Sequence, residues 1–313
     1  MATSGLTVFT LTALEVVNKA FGKIGVKVAE QELTADEYQD GQDSLNLMIK
    51  SWGAQGLHLW SKEEGLLFLD AGKTDYLLGA TGDKACQFDD FIGTTSAADN
   101  IATDVIIQVA STDGMAIADR AGIELDDNTR FWSTILTVDS ATQITITTQL
   151  PSPAASGATV FTFTDLVARP NRILSYRRNA FGNDNEIPVI TWSRQSYFDQ
   201  VNKQSQGTIV NAYYSPQLDN GRVWVWQTAS SVNDLIRFTF ERPLEDITDG
   251  DQTLDFPAEW LEAIIYNLAA RLVDDYDAPI QKAEKIAIKA VSFLDDLLGW
   301  DEEMTSLNLQ PDF

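Results

Sequence analysis

One cysteine, Cys86, and one histidine, His58, stand in a chain of 313 residues. A single thiol excludes an internal disulfide and a thiolate zinc cluster. A single imidazole excludes two-histidine metal motifs and leaves one candidate imidazole base. That base lies in Gly56-Leu57-His58-Leu59-Trp60, between apolar residues just past a helical stretch, where a packed or capping role is the expectation. Cys86, with Lys84 as its basic neighbour, reads as a small buried hydrophobe. No apolar run approaches the roughly 20 residues that span a bilayer, so no membrane partner is expected. Met1-Ala2-Thr3-Ser4-Gly5 has neither a basic nor an apolar signal region, which points to a cytoplasm or to a particle assembled in one.

Reaction machinery is scarce as well. There is no Gly-rich phosphate loop ending in Gly-Lys-Ser/Thr, no Gly-x-Gly-x-x-Gly after a strand and no Gly-x-Ser-x-Gly elbow. Carboxylate pairs are plentiful, but no spacing singles out a glycosidase dyad. Asp246-Ile247-Thr248-Asp249-Gly250-Asp251 resembles the opening of a calcium loop, yet the later bidentate Glu is missing and a solvated turn is the expected form. The expectation is a protein that is not an enzyme, with no catalytic residue, metal or cofactor.

Basic residues are the remaining scarcity, 22 against 46 acidic, for a net charge of -24. A field of that sign repels phosphate backbones, so DNA binding through Lys/Arg neutralisation is not expected. Solubility and a surface that must not hold DNA both account for it, and composition does not choose between them.

What is present is a soluble globular composition, 44% apolar and 22% charged, long enough for two or three packed units. Thr12-Ala13-Leu14-Glu15 has the form of a capping box, and Leu14, Val17, Phe21 and Ile24 follow at helical spacing until Gly25. Thr34-Ala35-Asp36-Glu37 repeats the signal, with Tyr38, Leu45, Met48, Ile49 and Trp52 on one side and Gly53 and Gly56 as candidate terminators. After Trp60 the period changes to that of strands. Val105–Val109, Ala121–Leu125, Thr129–Val138, Gln143–Thr148 and Thr159–Phe163 read as strands, with a hairpin turn at Asp126-Asp127-Asn128. Val223-Trp224-Val225-Trp226 and Ile236–Phe240 alternate. Core packing is the expected use of the two Trp residues, and a sugar-stacking platform is the rival. Helical spacing returns with Asp255 as expected cap and Leu261, Ile264, Ile265, Leu268 and Leu272 as its apolar side. A last helix carries Ile280 to Leu297.

The expected fold is α+β, a discontinuous helical core from both chain ends with a large β-rich insertion. Residues 1–64 and 255–300 supply the helical core. Residues 65–165 form a β-barrel or sandwich module, 166–254 a second antiparallel sheet, and 301–313 a polar tail with spaced apolar anchors.

Four stretches in this order resemble a known family. They are Leu11–Val26 with Asp43–Trp52 and Gly56, then Arg169-Pro170-Asn171-Arg172-Ile173, then Tyr197-Phe198 to Gln206-Gly207 with Tyr213–Pro216 and Gly221–Trp226, and finally Phe256–Leu272 running to Asp275-Tyr276. The chain is similar to the head-to-tail adaptor proteins of short-tailed bacteriophages, the head-completion or tail tubular A-type proteins. The resemblance implies a virion protein, made in the bacterial host cytoplasm, that forms a ring commonly of twelve copies beneath the portal protein. Such a ring extends the channel through which genomic DNA passes without specific binding, and it anchors the tail nozzle and tail fibre proteins. Leu14, Val17, Phe21, Trp52, Trp260, Ile264, Leu268 and Leu272 are then expected in the helical core and in packing between neighbouring protomers, and Leu307, Leu309 and Phe313 on the portal. A carbohydrate- or receptor-binding tail protein is the alternative, and a cell-wall hydrolase ranks third.

Overall fold

The computed structural model describes residues 9–26, 32–53, 59–183, 185–276 and 278–300. The fold is α+β, in two compact units: residues 1–61 with 244–313, and residues 62–243. Five α-helices lie among the described residues: α1 (Ala13–Ile24), α2 (Ala35–Gly53), α3 (Arg194–Asp199), α4 (Leu261–Leu272) and α5 (Ile280–Trp300).

The helical unit is written in local signals. Thr12 Oγ1 accepts the Glu15 N–H (3.3 Å) and the Thr12 N–H donates to Glu15 Oε2 (3.0 Å), so both orphan donors of the first turn of α1 are satisfied. Gly25, at φ 86°, ends the helix where an L side chain would be strained. Thr34 and Glu37 make the same reciprocal pair at the start of α2. The two helices approach closely at Gly41, where a Cβ would lie 2.5 Å from Val17 Cγ1.

α1, α2, α4 and α5 bury their stripes in one core. Its centre is an aromatic cluster to which both chain segments contribute: Trp52 and Trp60 from one, Phe256 and Trp260 from the other. Ring centroids are 4.8 Å apart for Trp60–Trp260 and 5.8 Å for Trp52–Trp260. α4 follows directly on a 3-10 turn at Ala258–Trp260, and the Asp255 carboxylate just before it accepts the Glu245 N–H (3.3 Å). Leu14 departs from expectation: it is 39% exposed. The buried arc of α1 runs through Ala13, Val16, Val17, Ala20, Phe21 and Ile24, and Leu14 lies about a quarter turn from its centre.

The second unit is all strand apart from α3 and short turns. Its chain order begins with β1 (Lys62–Phe68), β2 (Asp75–Leu78) and β3 (Ala85–Gln87). Then come β4 (Ile92–Thr95), β5 (Ile106–Gln108), β6 (Arg120–Glu124), β7 (Arg130–Ser140), β8 (Gln143–Ile146) and β9 (Thr159–Phe163). The remainder is β10 (Arg172–Ala180), β11 (Ile187–Thr191), β12 (Gln206–Gly207), β13 (Asn211–Ser215), β14 (Gly221–Trp226), β15 (Thr228–Ala229) and β16 (Asp234–Glu241).

Strands β4 to β9 form a six-stranded sheet in the order β4-β9-β6-β7-β8-β5. Its two edges meet, with the Ala97 N–H on Gln108 O (2.8 Å) and the Ala110 N–H on Thr95 O (2.9 Å). The sheet therefore curls into a nearly closed barrel with Ile107, Ile123, Ile135, Ile144 and Val160 inside, which removes exposed strand edges. The other sheet has eight strands in the order β2-β14-β13-β11-β10-β16-β1-β3.

This topology corrects two expectations. β1, β2 and β3 belong to the eight-stranded sheet, so the barrel spans Ile92–Phe163 and not residues 65–165. The second sheet is not wholly antiparallel, because β11 and β13 pair in parallel, with the connection between them carrying α3. The two sheets also share a core of Leu66, Phe68, Phe161, Phe163 and Leu235.

Candidate functional site

The helical residues singled out from the sequence lie inside their own unit. Val17, Phe21, Trp52, Trp260, Ile264, Leu268 and Leu272 are all buried in the core of their own unit. That burial bears out their place in the helical core; in the single chain they present no surface to a partner. The apolar surface that remains lies elsewhere. α5 buries Ile286 and Ala290 but leaves Ile280, Ile288 and Val291 78%, 70% and 60% exposed. On α2, Leu47 is exposed in the same way. A helix apolar on both sides has one side available to a partner.

Between α1 and α4 runs a groove of about 530 Å³. Phe9, Leu11, Leu261 and Ile265 line its apolar part, and Lys19, Lys23, Glu262 and Tyr266 its polar part. The Tyr266 hydroxyl accepts from Lys23 Nζ (3.1 Å) and from Lys289 Nζ (3.4 Å), and both ammonium groups also lie over its ring. The hydrogen bond from Lys23 holds the phenol below its ordinary range, since a cation beside the oxygen favours the phenolate.

On the β unit, the alternation of β14 places Val223 and Val225 in the core and Trp224 and Trp226 on the opposite face, half-buried. The expectation that the two indoles fill the core is corrected. They form an outer aromatic layer: Trp224 stacks on Tyr213 (5.2 Å, 14°) and Trp226 on Trp192 (5.5 Å, 22°). Tyr197 and Phe198 of α3 close over Trp224, and Arg222 and Arg194 sit against Trp224 and Phe198. Each indole thus has one ring face covered by another aromatic ring.

A polar network crosses the eight-stranded sheet. Glu64 on β1 receives Arg177 Nη2 (2.5 Å) and Arg237 Nε (2.7 Å), and Arg237 also reaches Glu186 (2.8 Å). Burial pushes the Glu64 carboxyl up, but the two guanidinium groups outweigh it and hold the group below the usual carboxylate range. A depressed folded-state pKa contributes stability above the unfolded value of about 4.3 and loses it as pH falls through the folded value. Glu64→Gln is therefore expected to flatten the acid limb of the stability curve below about pH 5, measured by denaturation at stepped pH. An unchanged acid limb would show that the pairing does not persist in solution.

Cys86 is buried, and burial pushes its thiol well above the ordinary range. The acidic stretch at 246–251 is a turn in which Asp246 pairs with Lys50 (2.5 Å) and Asp249 accepts the Asp251 N–H (3.2 Å). Among the described residues no group of three His, Cys, Asp or Glu side chains is placed to hold a metal, and no helix is long and apolar enough to cross a membrane. His58, Leu307, Leu309 and Phe313 lie outside the described residues. No protein-family model matches the chain, and no curated protein matches it.

Two features were not singled out from sequence. The aromatic layer of α3 and β13 had a partial signal in the Trp224/Trp226 alternation. The lysines around Tyr266 had one in the spacings Lys19/Lys23 and Lys282/Lys285/Lys289, each of which repeats at about one or two helical turns.

Proposed function

We propose that this chain is a structural protein of a short-tailed phage virion, the head-to-tail adaptor whose copies form a ring under the portal protein. In this reading it is not an enzyme. The observation that carries the proposal is the apolar second side of α5, on a helical unit that both chain segments build and that the β unit interrupts. A monomer has no use for Ile280, Ile288 and Val291 in water, whereas side-by-side protomers bury them. The β unit then supplies surfaces for tail nozzle and fibre proteins. The net charge of -24 fits a channel through which DNA passes without being held.

The test is the pair Ile288→Asp and Val291→Asp. Both positions are exposed in the single chain, so the variant is expected to fold with unchanged circular dichroism and to lose ring assembly on the portal by at least tenfold. Assembly at the level of the unaltered chain would remove α5 from the interface and, with it, the main support for the adaptor reading.

Glycan binding is the second reading, and the outer aromatic layer is the observation in its favour. The mutual stacking of Trp224 on Tyr213 and Trp226 on Trp192 weighs against it, because sugar rings need an open aromatic face.

A further inference from the structure

Basic side chains are few in this chain, and several of those in the β unit are ion-paired: Lys73 with Asp83, Arg172 with Glu241, Arg177 and Arg237 with Glu64, Arg222 with Asp75 and Arg242 with Glu63. In the helical unit Lys50 pairs with Asp246, while five other lysines stand apart. Lys19 and Lys23 on α1, and Lys282, Lys285 and Lys289 on α5, are all exposed. None of the five forms an ion pair with any described residue. Two of them converge on one phenol oxygen, Tyr266 Oη. Like charges at i,i+4 and across so short a span repel one another. Glu262 also lines the groove but forms an ion pair with none of the five lysines, and an arrangement of this kind, in a chain with twice as many acids as bases, is suited to an anion supplied from outside the described residues. The apolar floor beside it, Phe9, Leu11, Leu261 and Ile265, specifies that the anion carries apolar side chains. The ligand class is an acidic peptide with spaced leucines or aromatics.

Residues 301–313, Asp301-Glu302-Glu303-Met304-Thr305-Ser306-Leu307-Asn308-Leu309-Gln310-Pro311-Asp312-Phe313, have that chemistry. They also start in the right place. α5 returns antiparallel along α4: Lys289 and Phe293 lie against Tyr266, and Asn267 Nδ2 donates to Ala290 O (3.0 Å). Seven further residues along α5, about 10 Å at 1.5 Å each, bring Trp300 past the level of Leu261 at the apolar end of the groove. From there, thirteen residues reach up to about 40 Å when extended, more than the groove requires. Attachment in the same chain raises the effective concentration to the millimolar range, so modest contacts suffice for occupancy.

We propose that residues 301–313 lie in the α1/α4 groove of their own chain, with carboxylates on Lys19, Lys23 and Lys289 and apolar side chains on Leu261 and Ile265. The inference stands apart from the adaptor reading and does not need it. It makes the groove a self-occupied site, from which an acidic, leucine-bearing partner segment would have to displace the chain's own.

Carbodiimide coupling of the full chain tests it. The reagent joins a lysine amine to a carboxyl in contact with it as an amide, with loss of one water. The experiment uses an equimolar mixture of ¹⁵N-labelled and unlabelled chains, so that links within and between chains are distinguished by mass. Expected are links from Asp301, Glu302, Glu303 or Asp312 to Lys19, Lys23 or Lys289, each within one isotopic form. Lys23→Glu with Lys289→Glu should lower the yield at Lys19 at least tenfold. Leu307→Asp with Leu309→Asp should do the same at all three lysines. Links found only between light and heavy chains would overturn the proposal in favour of a second copy as occupant. Absence of links from 301–313 to these lysines would overturn it outright, as would protection of the lysines by added duplex DNA with the links abolished at equal ionic strength.

Discussion

Trp260→Ala is expected to destabilise the helical unit by about 3–5 kcal/mol, the range for removing a large aromatic ring from a close-packed core. Trp260 is fully buried and touches Trp52, Trp60 and Phe256, so the substitution removes the side chain on which both chain segments converge. The surrounding rings are too large and too constrained to collapse into the space, which places the cost at the upper part of that range. Chemical denaturation followed by tryptophan fluorescence and far-ultraviolet circular dichroism reads it. A loss below about 1 kcal/mol would mean that the two chain segments are not joined through this cluster.

Arg130→Met is expected to cost about 3–5 kcal/mol, for a different reason. The Arg130 guanidinium is buried on β7, over the ring of Phe161 (3.9 Å). It donates to Gly122 O (3.2 Å), Thr159 Oγ1 (2.9 Å), Val232 O (3.0 Å) and Asn233 Oδ1 (3.0 Å). Glu124, its cross-strand neighbour, accepts the Thr159 N–H (2.9 Å) and Asn233 Nδ2 (2.7 Å). Val232 and Asn233 lead into β16 of the larger sheet, so this network fastens the barrel to it. Methionine fills the space but removes the guanidinium's hydrogen bonds to Gly122, Thr159, Val232 and Asn233 and leaves the Glu124 carboxylate without its counter-charge. Arg130→Lys should recover only part of the loss, because a single ammonium cannot reproduce the planar fork. Equal stability of the Met and Arg forms would show that the barrel is held by the Phe68–Phe163 aromatic core alone.

Features that depend on a few adjacent residues are legible in the sequence. The capping pairs Thr12/Glu15 and Thr34/Glu37, the stop at Gly25 and the hairpin at Asp126–Asn128 are local chemistry, and they form as the spacing requires. The strand assignment of Val223–Trp226 is equally local, but its facing is not. Both faces carry apolar side chains, and the choice falls to α3, whose Tyr197 and Phe198 cover the indoles from a distance of some thirty positions. The limit of the barrel fails for the same reason. Gly65–Leu69 is a continuous apolar run, and nothing within it announces that its partner is β16, at Leu235–Phe238. Leu14 belongs to the apolar stripe by spacing but falls at its border, where the packing of α1 against α2 and α4 decides exposure. The lysine cluster around Tyr266 joins positions 19 and 289, a juxtaposition visible only once α1 and α5 flank α4.

The adaptor reading stands or falls on assembly, and the decisive measurement is mass. Native mass spectrometry of the chain alone, and then mixed with the portal protein of the same phage, counts protomers directly. The expected result is a portal complex carrying one closed set of copies of this chain, twelve where the portal is twelvefold, with no retention of duplex DNA by the chain at physiological salt. A folded chain that adds no mass to the portal under those conditions would contradict the proposal and leave the aromatic face of the β unit as the surface to test against glycans.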